Sequence, residues 1–475
     1  MNSKLTLVLP VVTGILAGCA VGPNYQPPKS TTPASWSETQ LGGATNSMPP
    51  VTEWWKTFND PVLNSLISRA VTNNLDLRIA EGRLREVRAI RAGAYWNLAP
   101  TITGAGGYHD QQESKNAPYV APPFHTDLYD AHFDASWEID IFGGLRREVQ
   151  EANALFQTVE EDRHAVLVST LAEVARNYIE VRGYQRRYTI ATDNIKAQTE
   201  AVEIARARFN AGLTSELDVK QAEALLATTR SQLPALETSA KQGIHQLGVL
   251  LGQPPGALLA ELTGSAPVPV TPPVVPVGLP SELLRRRPDV RRAERQLAAD
   301  TAVIGVATAE LFPKFALLGT GGLQSLSAGN WLTGGSKYWT AGPTMTWRIF
   351  DLGHVHSQIR AANAHAEQTL AAYEKTVLVA FNDVEDALVA YANEQVRQRA
   401  LAEAVAANRR ALELANELYT KGLGNFLNVL DAERSLYQTT DQLADSERAV
   451  ADNLVALYKA LGGGWETPNE NNPKK

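Results

Sequence analysis

The sequence predicts a mainly α-helical chain with a membrane β-barrel component. It is built as two tandem copies of one unit: helix, strand, strand, long helix, return helix. Three observations carry this prediction. From Leu128 to Phe142, LYDAHFDASWEIDIF, apolar and polar residues alternate. Tyr129, Ala131, Phe133, Ala135, Trp137, Ile139 and Ile141 stand against Asp130, His132, Asp134, Ser136, Glu138 and Asp140. A period of two marks a strand with one face in an apolar medium and one in water. The pattern returns 210 residues later, where Trp137, Ile139 and Gly143 recur as Trp347, Ile349 and Gly353. The third observation is helical. Leu167, Leu171, Val174, Tyr178 and Val181 step by four and three, a coiled-coil seam. Their counterparts 210 residues on, Val377, Phe381, Val384, Leu388 and Tyr391, are all apolar.

Composition narrows the classes. A formal net charge of −7 with 20% charged residues argues against a nucleic-acid binder, which concentrates basic charge. Beyond the N-terminal segment no apolar run approaches the roughly 20 residues of a spanning helix. If the chain crosses a membrane it does so as a barrel. The single cysteine, Cys19, follows a short basic start at Lys4, an apolar stretch from Leu5 to Leu16, and Ala17-Gly18. Residues 1–18 read as a signal peptide. Leu-Ala-Gly-Cys looks like a bacterial lipobox, in which Cys19 takes lipid and becomes the mature N-terminus. The alternative is an ordinary signal peptide with an incidental cysteine.

The elements follow in order. Residues 19–60 form an extended arm rich in Pro, Ser, Thr and Gly, with Trp54, Trp55 and Phe58 as a small apolar cluster. The first repeat spans 61–252. Asp60-Pro61 starts a helix, acid at the cap and Pro at the first position, which runs to about Asn97. Strands are expected over about 101–110 and 128–142, with the proline-containing segment between them an exposed loop. A helix from about Gly143 to Asn210 would be on the order of 100 Å long at 1.5 Å per residue. Gly212 ends it, Thr214 or Ser215 caps the return helix, and Pro234 predicts a kink or break within that helix. A Pro-rich linker covers 253–280. The second repeat spans 281–465, with strands over about 314–325 and 337–350, a long helix from about Gly353 to Thr420, and a stop at Gly422. The polar tail 466–475 reads as disordered. Four strands cannot close a membrane barrel, which needs about eight. Spanning strands therefore require an oligomer, and a trimer supplies about twelve.

The lipobox, LGQPP after the first return helix, LLRRRPDVRRAERQLAA, LFP before a strand, and LNVLDAERSLYQ after the second turn arrive in a familiar order. The chain resembles the TolC-type outer membrane efflux family. It is most similar to the OprM and NodT-like lipoprotein branch that serves resistance–nodulation–division pumps. The resemblance covers nearly the whole mature chain. It implies a homotrimer with a 12-stranded barrel in the outer membrane and a long α-helical tunnel in the periplasm. The partners it implies are a periplasmic adaptor, an inner-membrane resistance–nodulation–division pump and outer membrane lipids. No nucleic acid and no cofactor beyond the lipid on Cys19 are expected.

The resemblance also places a periplasmic gate. Leu427 and Asp431 share a helix face at i, i+4, and Arg434 lies one turn on. In a trimer they form an apolar ring, which can block by dewetting, and an acidic ring, which can bind cations. Taken without the resemblance, the pattern fits an exposed salt-bridged helix better than a gate. In the first repeat Gln221 stands where Asp431 stands in the second. The tip turns, with Asn210, Gly212 and Thr214 in one and Lys421, Gly422 and Asn425 in the other, are candidate adaptor contacts or bare hairpin ends. Asp130, Asp134, Glu138 and Asp140 are expected to face the lumen, with Trp137, Trp347, Trp339 and Tyr129 toward lipid. His354 and His356 are two apart and do not share a helix face, so no metal site is expected. No phosphate loop, nucleophile elbow or Cys/His ligand set suggests an enzyme. The expected activity is a passive exit duct for small molecules. The alternatives are a duct for type I protein secretion and a lipid-anchored periplasmic coiled-coil scaffold.

Overall fold

The computed structural model describes residues 20–29, 32–37, 43–45, 51–116 and 125–466. Cys19, the signal segment and the tail from 467 lie outside the described residues. The chain divides into two compact units. One comprises Met1–Lys29, Arg83–Glu160 and Arg292–Glu374; the other comprises Ser30–Gly82, Glu161–Arg291 and Lys375–Lys475.

The first repeat runs α1 (Pro61–Asn73), α2 (Leu75–Trp96), β1 (Thr101–Gln112), β2 (His125–Ile139), α3 (Gly144–Asn210) and α4 (Glu216–Leu250). The second runs α5 (Pro280–Arg286), α6 (Pro288–Ala309), β3 (Lys314–Ser325), β4 (Lys337–Thr346), α7 (Leu352–Thr420) and α8 (Phe426–Ala460). At the start of α1, Asp60 accepts from Val62 N and Leu63 N, and its other carboxylate oxygen takes the Tyr178 hydroxyl at 2.8 Å. Leu63, Leu66, Ile67 and Ala70 are buried at helical spacing on its inner face. The coiled-coil seam is core: Leu171, Val174, Tyr178 and Val181, and Val377, Val384, Leu388 and Tyr391, are all buried. Gln185, which continues the first seam, is buried too. It bonds Arg182 Nη1 (2.8 Å) and the Leu262 carbonyl (2.5 Å), so its amide is satisfied where the apolar run stops.

The four long strands form one antiparallel sheet in the order β1-β2-β3-β4. Register puts Gly104 opposite Phe133, Asp134 opposite Thr320, and Thr320 opposite Thr340. One face thus collects Ile102, Tyr108, Phe133, Leu317, Trp339 and Met345, all exposed in the chain, Trp339 at 80%. The other collects Asp130, His132, Asp134, Thr320 and Thr340. Among the described residues β1 and β4 are unpaired on their outer edges.

Several boundaries depart from expectation. The first helix breaks at Asn74, whose backbone is extended. The Asn74 side chain donates to Leu250 O and accepts from Leu77 N, trading helix continuity for a tie to α4 and a cap on α2. In the second repeat Arg287 and Pro288 make the same break. Strand β2 ends at Ile139, not Phe142, because Ile141 N folds back onto Ile139 O. Strand β4 ends at Thr346, so Trp347 and Ile349 fall beyond it; the Trp347 indole donates to Leu311 O instead. Strands β1 and β2 reach further into the segment read as a loop, pairing through Gln112 and His125. Helix α4 continues through Pro234 without a break. Pro234 and Arg230 both sit on exposed positions, where the carbonyl that loses its amide partner can be hydrated.

Candidate functional site

The two hairpin turns are built alike. In the first, Gly212 adopts φ +72°, Gly212 N donates to Phe209 O (2.8 Å) and Leu213 N to Arg208 O (2.9 Å). In the second, Gly422 adopts φ +72°, with Gly422 N to Tyr419 O (3.1 Å) and Leu423 N to Leu418 O (2.9 Å). This paired closure satisfies the last carbonyls of each long helix and requires a left-handed residue, which glycine supplies without strain. Return helix α4 starts at Ser215, whose side chain makes no cap bond; the Thr214 hydroxyl bonds the Asp218 carboxylate instead. Return helix α8 starts at Asn425, whose side-chain oxygen accepts from Leu427 N at 3.1 Å. Asn210, Gly212, Lys421, Gly422 and Asn425 are exposed, as are Leu213 and Leu423.

Helix α8 presents two faces near its start. Phe426, Val429, Leu430 and Glu433 are buried, while Leu427, Asp431 and Arg434 lie on the exposed side. Arg434 Nη2 pairs with Asp431 Oδ1 at 2.8 Å, both side chains being more than half exposed. Sequence reasoning missed the contacts between the two hairpins, one of which lies beside the turns. The Arg208 guanidinium, from α3, lies 4.4 Å from the centroid of Tyr419 in α7, and Tyr419 packs on Phe426 at 5.1 Å. A cation over an aromatic face is attractive. At the 210-residue offset Arg208 aligns with Leu418 and Phe209 with Tyr419, so the repeat gives no hint of this cation–aromatic pair.

On the polar face of the sheet, Asp130 and Asp134 flank His132. Its Nδ1 lies 3.0 Å from Asp130 and its Nε2 3.2 Å from Asp134. His109 approaches Asp130 at 3.5 Å, and Thr320 donates to Asp134 at 2.6 Å. Glu138 is half-buried on the same strand. Asp140 is no longer on the strand: its carboxylate accepts from Leu145 N, Arg146 N and Arg146 Nε, which anchors the first turn of α3. An acid at a helix N-terminus is stabilised by the free N–H groups there. Of the four acids expected on this face, three are strand residues and one is a helix anchor.

A family model described as outer membrane efflux protein matches residues 66–253 and 279–463. The chain belongs to this family. The two matched segments fall on the two repeats. Among its relatives is nodulation protein T of Rhizobium leguminosarum bv. trifolii, 32% identical over 96% of this chain and 97% of that one. The probable efflux pump outer membrane protein TtgC of Pseudomonas putida is 31% identical over 98% and 96%. Among solved structures, the outer-membrane channel OprN superposes with a TM-score of 0.89 at 36% identity, covering 94% of this chain and all of that one. This outer membrane efflux protein therefore has the fold of the TolC-like channels. The apolar face of its sheet, with Trp339 and Phe133, is exposed in the single chain.

Proposed function

We propose that the protein is the passive exit duct of a tripartite efflux pump, assembled as a homotrimer and gated at its hairpin tips. The observation that carries this reading is the sheet: four strands, one apolar exposed face, one polar face and two unpaired edges. Open edges are not tolerated in lipid, so the sheet must be completed by other copies. Three copies supply twelve strands around a wet interior lined by Asp130, Asp134, Glu138 and Thr320. A periplasmic adaptor docks on the tips around Asn210, Gly212, Thr214, Lys421, Gly422 and Asn425, and an inner-membrane pump supplies the energy. Leu427 and the Asp431–Arg434 pair narrow the passage at rest, and solutes diffuse outward once the tips part. Acylated Cys19 adds a second hold on the outer membrane beside the barrel.

The test is a photo-crosslinker at Asn425 in intact cells, with captured proteins identified by mass spectrometry. The expected product joins this chain to a periplasmic adaptor. Capture of neighbouring copies alone would overturn the tip as a docking site.

A further inference from the structure

In the hairpin region, one buried layer is polar. Toward the tips, Val202 and Ala205 of α3, Val219, Ala222 and Leu226 of α4, Tyr419 of α7, and Phe426, Val429 and Leu430 of α8 form one apolar cluster. Further along the same helices, Ala191, Leu236 and Tyr437 form a second. The intervening turns carry Asn194 and Gln198 on α3, Thr229 on α4 and Glu433 on α8. Gln198 is 1% exposed and Glu433 8%. Neither amide atom of Gln198, nor Asn194 Nδ2, nor Glu433 Oε2 has a hydrogen-bond partner within the protein. Thr229 is satisfied by its own helix, donating to Leu225 O at 3.2 Å. Asn408 of α7 is engaged with Ser435 O and Thr439 Oγ1.

Polar groups buried without partners destabilise the packing that buries them, and hydration relieves that penalty. We infer that the Gln198–Thr229–Glu433 layer is the hinge of the tip. Water entering between α8 and its neighbours hydrates Gln198 and Glu433, and the hairpin ends swing apart as one piece held by the tip cluster. The inference rests on the tip-gated duct proposed above and adds where that gate yields.

Glu433 makes the hinge sensitive to pH. Burial alone pushes its carboxyl up from the ordinary 4.5 to about 7. The charged residues on these turns, Lys196 and Glu200 of α3, Arg230 of α4, Arg409 and Arg410 of α7, and Asp431 and Arg434 of α8, all occupy exposed positions. The packed state thus holds a proton that the hydrated state releases. The stability this gives the packed tip is fully present below the hydrated value of 4.5 and is lost as pH rises through about 7.

The test is the open probability of the purified trimer in planar lipid bilayers from pH 5 to 8 at constant salt. Opening is expected to rise with pH by up to about tenfold per unit per protomer and to level off above about 7. Glu433→Gln, neutral throughout, removes this slope. Gln198→Leu, which fills the layer with an apolar side chain, lowers opening by about tenfold at every pH. A Glu433→Gln channel that keeps the wild-type slope overturns the hinge, as does a Gln198→Leu channel that opens as readily as wild type. Should Glu433→Gln fail to assemble, Gln198→Leu carries the test alone. The double variant Asp431→Ala, Arg434→Ala separates the two readings: if it leaves opening unchanged, the gate itself fails; if it opens the channel while Glu433→Gln keeps the slope, only the hinge fails.

Discussion

At the scale of single residues, the tip depends on weak contacts. The Asp431–Arg434 pair spans one helical turn at 2.8 Å on an exposed face. Such a pair contributes about 0.3–0.5 kcal/mol. In the proposed trimer three copies of the pair would act on one passage and multiply that small term, as the proposed gate requires. Replacing both residues by alanine is expected to raise single-channel open probability by about five- to tenfold and to admit bulky antibiotics from outside, with the trimer otherwise intact. Bilayer conductance together with drug susceptibility of cells measures this. Unchanged conductance would remove these two residues from the gate. Arg434 and Asp431 were legible in the sequence because i, i+3 partners on one helix need no tertiary information. Glu433, two positions from Asp431, was not. Its significance comes from Gln198 and Thr229, which are remote in sequence and, like it, are buried between the two apolar clusters of α3, α4 and α8.

At the scale of elements, the long helices were readable and their interruptions were not. Seam spacing and the 210-residue offset are local or periodic signals, so α3 and α7 could be placed from letters alone. The break at Asn74 has no proline or glycine to announce it. It exists because the side chain finds a carbonyl, Leu250 O, that is 176 positions away. Asp140 is a similar case: the alternating pattern places it on the strand, and the amides of Leu145 and Arg146 take it for the helix. The tip turns were readable because glycine at the end of a helix has a specific conformational reason. At both Gly212 and Gly422 an added methyl would meet nothing, so the left-handed φ is the sole constraint. Gly212→Ala and Gly422→Ala are therefore expected to cost about 1–2 kcal/mol each at the tip, without loss of the fold. Hydrogen exchange of the amides around Ala211 and Lys421 reads this as faster local opening. Equal protection in wild type and variant would show that another residue closes these turns.

At the scale of the whole molecule, the proposed duct would have two holds on the membrane, a barrel and a lipid, and they would fail differently. The sheet presents Ile102, Phe133, Leu317, Trp339 and Met345 on one exposed face, an area that water would not tolerate uncovered. The lipid proposed for Cys19 is a single attachment point, and a lone lipid anchor gives marginal, reversible binding compared with a spanning structure. The barrel should thus be sufficient. Cys19→Ala is expected to leave the protein in the outer membrane fraction, resistant to carbonate extraction and migrating as a heat-modifiable trimer, at somewhat reduced abundance because assembly loses its membrane tether. A scaffold held by lipid alone would instead move to the soluble fraction. Trp339→Arg places a charge on the proposed lipid face at an 80% exposed position, where arginine costs up to about 2–4 kcal/mol near the bilayer midplane. Combined with Cys19→Ala it removes one hold and weakens the other. Trimer loss in the combined variant, with trimer retained in Cys19→Ala alone, is the pattern that a barrel-first anchor requires.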